Sequence, residues 1–298
     1  MGHHHHHSHD TTGNIKVAFF LNFFFTIIEL IGGILTNSIA IISDALHDLG
    51  DSLSLGLAWF LQKFSNKDHS KDFSFGYKRF SLLAALINSV VLIVGSIFIL
   101  TEAIPRLWNP ETPNTWGMMG LAILGIAVNG AAVFRLRGGE SMNQKVMSWH
   151  MLEDVLGWVA VFIVGLVMTF FDLPILDPVA SIGITLFILY NVIVNLIKTM
   201  RLFLEAVPDS VDLEKIRRDI QQLPEVRSTH HTHLWSLDGE HHAFSTHAVV
   251  ASEATKEEVC HVKESIKSIV SPIHLDHMTI EIEYEDEFCS MAEEGAHG

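Results

Sequence analysis

Between Ile39 and Leu61 the chain reads IAIISDALHDLGDSLSLGLAWFL, an apolar run interrupted by Asp44, His47, Asp48 and Asp51. From Asp44 the other three follow at offsets of three, four and seven, so one face of a helix carries all four. An ionised side chain at mid-bilayer costs ~2.5–3.5 kcal/mol on insertion scales, so in a membrane such a residue marks function. A second run has the same signature: Val146–Phe171 contains His150 and Asp154, four apart, with Glu153 beside them.

Working outward, six apolar stretches follow one another: Val17–Leu35, Ile39–Leu61, Phe80–Ile104, Trp116–Phe134, Val146–Phe171 and Ile175–Leu196. Each has about 19–26 residues, enough at ~1.5 Å per residue to cross a ~30 Å hydrocarbon core. A soluble all-helical core rarely needs six such stretches in succession. The first is too long for a cleaved signal peptide and lacks a lysine-rich start and a small-residue cleavage site. The mean hydropathy of +0.32 over 298 residues agrees with a membrane domain.

Basic residues set the expected orientation. Lys63, Lys67, Lys71, Lys78 and Arg79 follow the second stretch, Arg135, Arg137 and Lys145 the fourth, and Lys198 and Arg201 the sixth. The opposite connections carry almost none, so the positive-inside rule places both termini in the cytoplasm. Trp108 and Trp116 flank an outer connection, as interface anchors do. The N-terminal segment 1–13 begins MGHHHHHSHD, which reads equally as an expression tag and as a native metal-gathering tail.

Charge divides the chain near Leu204. Residues 204–298 hold 20 acidic and 7 basic side chains, most of the overall net charge of −15. That balance excludes nucleic acid as a partner. Two cysteines, Cys260 and Cys289, exclude a disulfide framework and an all-thiolate zinc cage. The 19 histidines are far more than packing requires.

His47/Asp51 and His150/Asp154 form two pairs, each an imidazole and a carboxylate one turn apart. Facing each other they offer four ligands to a tetrahedral ion, and nitrogen plus oxygen donors favour zinc over copper(I). Two neutral histidines, two carboxylates and a divalent cation sum to zero charge. Without the cation the carboxylates repel each other in a poorly solvated place, so protons would take its position and metal would expel them. Asp44, Asp48 and Glu153 read as groups that hold the ligands by hydrogen bonds or relay protons. Asn88, Asn129 and Glu29 read as groups that hydrogen-bond between helices. Asp51 lies about 11 residues from the end of its run and His150 about 4 from the start of its own. Their depths would differ by ~10 Å, so the fifth helix is expected to begin before its apolar run.

Behind Leu204 the periodicity predicts helix, strand, strand, helix, strand over Val211–Leu223, Val226–Leu237, His241–Ala251, Thr255–Val270 and His277–Tyr284. Asp238–Gly239 makes the hairpin turn. His230, His231, His233, His241, His242, His247, His261, His274 and His277 crowd into this acidic region, and even offsets let His231 and His233 share a strand face. The tail 286–298 reads as disordered, with Cys289 as an incidental ligand.

In order along the chain, SIAIISDALHDLGD (Ser38–Asp51), FGYKRF (Phe75–Phe80), LLAALIN (Leu82–Asn88), HMLEDVLGW (His150–Trp158), LDPVAS (Leu176–Ser181) and EAVPDSVD (Glu205–Asp212) resemble the cation diffusion facilitator family, in its bacterial cobalt–zinc–cadmium-resistance and zinc-transporter branch. The resemblance implies a six-helix transmembrane domain over 14–204 and a cytoplasmic α+β (αββαβ) metallochaperone-like domain over 205–285. It implies a V-shaped homodimer that exports divalent metal in exchange for protons, with His47, Asp51, His150 and Asp154 as the transport site. The two-histidine, two-aspartate site is associated with zinc, and similar bacterial members also handle cadmium and cobalt. In the cytoplasmic domain the resemblance points to His230, His247 and Glu283 as ligands of a bound Zn2+, with His231 and His261 next. Some members carry a further site between the second and third spans with a histidine where this chain has Tyr77; Asp68, His69 and Asp72 remain nearby.

Two other functions fit parts of the pattern. An intramembrane zinc hydrolase could use Glu153 as base, but there is no HExxH and four ligands would saturate the metal. A metal receptor would need no charged groups at mid-membrane. Transport, not enzymatic catalysis, is the expected activity.

Overall fold

The computed structural model describes residues 8–65, 73–136, 142–287 and 289. Among these, the first part of the chain is helical: α1 (Ser8–Thr36), α2 (Ile39–Ser65), α3 (Phe80–Arg106), α4 (Thr115–Leu136), α5 (Met142–Phe171) and α6 (Leu176–Phe203). Each apolar stretch read from the sequence lies in one of them, except that Ile175 falls in the turn before α6. Phe19–Thr36, Phe80–Arg106, Leu152–Phe171 and Leu176–Phe203 are long and apolar enough to cross a membrane, and Thr115–Ala131 is a shorter apolar stretch. At 27 residues α2 has the length, with three aspartates inside it. As expected, α5 begins before its apolar run, at Met142.

The chain divides into two compact units, Met1–Lys63 with Ala84–Leu196, and Phe64–Leu83 with Ile197–Gly298. The first buries polar groups among apolar ones and turns large apolar side chains outward. Glu29, Ser43, Asp48, Ser96 and Thr185 are buried, whereas Leu21, Phe134 and Phe170 are 68%, 80% and 75% exposed. In water this would be a liability; in lipid the outer surface is already among its own kind, and the polar groups must find partners within the bundle.

Several of those partners hold α2 in place. Asn37, with φ 55, turns the chain between α1 and α2. The Asp177 carboxylate from the first turn of α6 is 1% exposed. It accepts from the Ser38 hydroxyl at 2.5 Å, the Ile39 N–H at 2.8 Å and the Ala40 N–H at 3.4 Å. It thereby caps the N-terminus of α2, whose amides have no partner within their own helix and whose dipole favours an anion there. Further along, the Ser43 and Thr185 hydroxyls are 2.6 Å apart, and the Asn22 amide donates to the Asp48 carbonyl at 3.1 Å.

Two glycines let helices approach beside these groups. A Cβ on Gly95 of α3 would lie 2.3 Å from Leu46 Cδ1, and one on Gly125 of α4 would lie 2.3 Å from Trp158 Cδ2. Leu46 precedes His47, and Trp158 stands one turn after Asp154. Trp158 also packs in a core with Phe25, Ile41, Met118, Ala122 and Val161, which joins α1, α2, α4 and α5.

The second unit contains α7 (Leu213–Gln221), β1 (Val226–Ser236), β2 (His242–Val250), α8 (Lys256–Val270) and β3 (Leu275–Tyr284), in the order read from the sequence. The sheet order is β1-β2-β3, with β1 and β2 antiparallel and β2 and β3 parallel. The parallel pair needs a crossover, which α8 supplies. Ile216 and Ile220 of α7 and Val262, Ile266 and Val270 of α8 pack on Leu234, Phe244, Ala248 and Val250 of the sheet.

At the start of α8, Thr255 and Glu258 form a capping box, with the Thr255 hydroxyl accepting from the Glu258 N–H and the Glu258 carboxylate accepting from the Thr255 N–H. The same backbone and hydroxyl contacts from Thr255 hold the Glu258 carboxyl below its ordinary 4.5. A depressed carboxyl stabilises the fold above its unfolded pKa, and that contribution disappears as pH falls through the folded value. Thr255→Ala is expected to cost about 1 kcal/mol, or roughly a fivefold gain in hydrogen exchange of the first α8 amides at neutral pH. The gain should shrink below about pH 4.

Residues 1–7, Asp68, His69, Asp72 and 290–298 lie outside the described residues. Tyr77 packs its ring 5.1 Å from Phe73 and 5.3 Å from Phe80, which makes that position part of an aromatic cluster.

Candidate metal centres

The α2 face read from the sequence meets α5. His47 Nε2 lies 3.7 Å from Asp51 Oδ2 on its own helix and 4.0 Å from Asp154 Oδ1 on α5. These separations are too long for hydrogen bonds but close to the roughly 3.3 Å between neighbouring ligands of a tetrahedral zinc. His47 and Asp51 are about a quarter exposed, and Asp154 is nearly buried, at 7%. His47 thus sits between a carboxylate of its own helix and one of α5. His150 stands one turn before Asp154 on α5, with a side chain outside the described ones. Glu153 is exposed, so the structure does not bring it to this group.

Asp44 and Asp48 are buried, at 8% and 4%, and Glu29 of α1 is fully buried. Asp44 is within electrostatic reach of Asp48, His47, Asp154 and Asp51, and Glu29 of Asp48, Asp44 and Asp154. Glu29, read from the sequence as a group that hydrogen-bonds between helices, faces Asp48 of α2 and also joins the acidic group. Asn88 does bridge, donating to the Ser54 hydroxyl at 2.8 Å. Asp44, Asp48, Asp51, Asp154 and Glu29 together hold more acid than one divalent ion can neutralise. The zero sum from two carboxylates thus describes the first ligands but not the whole cluster.

The chain matches two family models. One, described as the cation efflux transmembrane domain, covers residues 15–204; the other, the cytoplasmic domain of cation efflux proteins, covers 208–285. The chain belongs to the cation efflux family. Among its relatives is a cadmium, cobalt and zinc/H(+)-K(+) antiporter of Bacillus subtilis, 35% identical over 96% of this chain and 93% of that protein. The metal cation efflux system protein CzcD of Cupriavidus metallidurans is 32% identical, and the zinc transporter ZitB of Pectobacterium atrosepticum 30%, each over 97% of this chain and 93% of the relative. As a cation efflux protein, the chain is a multi-pass integral membrane protein with the transporter's membrane domain and the family's cytoplasmic domain.

In the cytoplasmic domain of this cation efflux protein, ligand atoms of His230, His247, Glu283 and Cys289 all lie within 4.8 Å of one another. His230 on β1 and His247 on β2 are register partners. Glu283 of β3 lies 2.7 Å from His247 Nδ1 and 3.1 Å from His230 Nε2. Burial alone would raise the Glu283 carboxyl, but hydrogen bonds from His247 and Cys289 and the charges of His230 and His247 outweigh it and hold it below its ordinary range. Cys289, from the tail read as disordered, is half-buried, with Sγ 4.0 Å from His247 Nδ1.

A bulge decides which histidines meet here. The β1–β2 register shifts between His230 and His233, where His231 has a φ of 47. Strict alternation would send neighbouring side chains to opposite faces. With the bulge, the His231 ring lies 5.2 Å from both the His230 and the His247 rings, closer than the 6.2 Å to His233. His261 lies on α8, mostly exposed, with Nδ1 3.0 Å from Glu225, so the structure does not bring it to the group.

Proposed function

We propose that this protein exports zinc from the cytoplasm in exchange for protons, as a homodimer working by alternating access. The observation that carries the reading is that His47 lies within 4.0 Å of Asp51 on its own helix and of Asp154 on α5, inside a helical unit with an apolar outer surface. An N/O donor set of this kind suits zinc and admits cobalt and cadmium, in keeping with the substrates in the relatives' names. His150, four residues before Asp154 in the sequence, is the fourth ligand in this reading. The surplus acids Asp44, Asp48 and Glu29 are the natural carriers of the counter-transported protons. Each cycle then exchanges a divalent ion for protons at one cluster, and the bundle never holds an uncompensated set of carboxylates.

The basic loops orient both termini toward the cytoplasm, which fits a bacterial inner membrane. His230, His247 and Glu283 bind a zinc ion in the cytoplasmic domain, with Cys289 and His231 beside them. Such an ion biases the transport cycle only if it binds one conformation of the dimer more tightly than the other.

The test is zinc uptake into sealed proteoliposomes of the purified protein, with a pH dye on one side. Zinc movement with proton counterflow is the expected result. Zinc movement without protons would leave a facilitator or channel, and the exchange reading would fail. Tight binding without flux would favour a receptor or a hydrolase instead.

A further inference from the structure

A third set of imidazoles converges at the other end of the hairpin. Ligand atoms of His241, His274 and Asp276 all lie within 4.8 Å of one another, and the two rings are 4.8 Å apart. His241 precedes β2, while His274 and Asp276 flank the first residue of β3. The backbone clamps these segments together, because the His242 N–H donates to the His274 carbonyl at 3.0 Å.

The arrangement around His241 is that of a prepared ligand. Its Nδ1 lies 2.7 Å from Asp238 Oδ2. Asp238 Oδ1 is itself held by the N–H groups of Glu240 at 2.9 Å and His241 at 2.8 Å. A carboxylate on one imidazole nitrogen fixes the ring and leaves the other nitrogen to bind metal. Beside it, His242 is buried, at 7%, and its Nδ1 has no hydrogen-bond partner among the described residues.

Asp276 already has a cation, because Lys78 forms an ion pair with it. Lys78 belongs to the segment that leads into α3, and that segment touches β3 again where the Phe75 ring meets His277 at 5.6 Å. We propose that His241, His274 and Asp276 form a second divalent-cation site in the cytoplasmic domain, and that the bound ion displaces Lys78 from Asp276. Two neutral imidazoles and one carboxylate leave a fourth position for water, a donor set for zinc or cobalt but not for magnesium. His274 and Asp276 are exposed, so the ion exchanges with solution. An ammonium and a divalent cation compete for one carboxylate, and the competition is reciprocal: metal loosens the segment before α3, and loss of Lys78 tightens metal binding.

The experiment is histidine carbethoxylation of the purified full-length protein across a zinc titration, read at single residues by mass spectrometry. Zinc should protect His241 and His274 with one shared midpoint, and magnesium should not. Asp276→Asn should raise that midpoint by roughly tenfold or more, and Lys78→Gln should lower it by about tenfold. In a His247→Ala background the protection should persist, which separates this site from the His230 group. Equal labelling of His241 and His274 with and without zinc would overturn the site. An unchanged midpoint in Lys78→Gln would overturn the competition.

Discussion

Asp154→Ala is expected to lower zinc flux in proteoliposomes by at least about 100-fold while the protein stays folded. Loss of even an outer-shell partner typically costs 10–100-fold in metal affinity, and Asp154 is placed to touch the ion. It is the most buried of the three converging groups and the one that ties α5 to His47, at 4.0 Å. Folding should survive because the substitution removes one carboxylate from a crowd of acids and so relieves repulsion. Glu153→Ala is the matching control: an exposed neighbour on the same turn should leave flux within about twofold. Asp154→Ala protein that moves zinc at the wild-type rate would remove α5 from the transport site.

Asp177→Ala should act in the opposite way, on the fold first. The substitution strands the Ser38 hydroxyl and the Ile39 and Ala40 N–H groups in a buried place, and each unmet donor costs about 1–3 kcal/mol. A total of at least about 3 kcal/mol is expected, with large losses of folded protein on extraction and of melting temperature. Asp177→Asn keeps an acceptor for part of the set and should lose less. Thermal unfolding in detergent decides the matter: equal melting of Asp177→Ala and wild type would mean that the cap does not hold α2.

These two aspartates differ in how they could be found. Asp154 was legible because a charge at mid-span is costly, and His150 one turn away completes a ligand pattern within a single helix. The α2 face with Asp44, His47, Asp48 and Asp51 was legible for the same reason. Asp177 was visible only inside a family-like motif; nothing local says that its partners lie about 140 residues earlier. Glu29 read as interhelical glue because a lone acid in one helix carries no information about its neighbours in another.

The sequence by itself determined the six helices, the order αββαβ and the two His/Asp pairs, because hydropathy, periodicity and i,i+4 spacing are local and survive without knowledge of packing. Only the tertiary structure decided that Glu29 joins the acidic cluster, that the His231 bulge turns neighbouring imidazoles toward His247, that Cys289 reaches that group while His261 does not, and that Lys78 holds the carboxylate beside His241 and His274. Each of these depends on a contact between segments far apart in the chain, where a register shift of one residue or a turn of one helix changes which side chains meet.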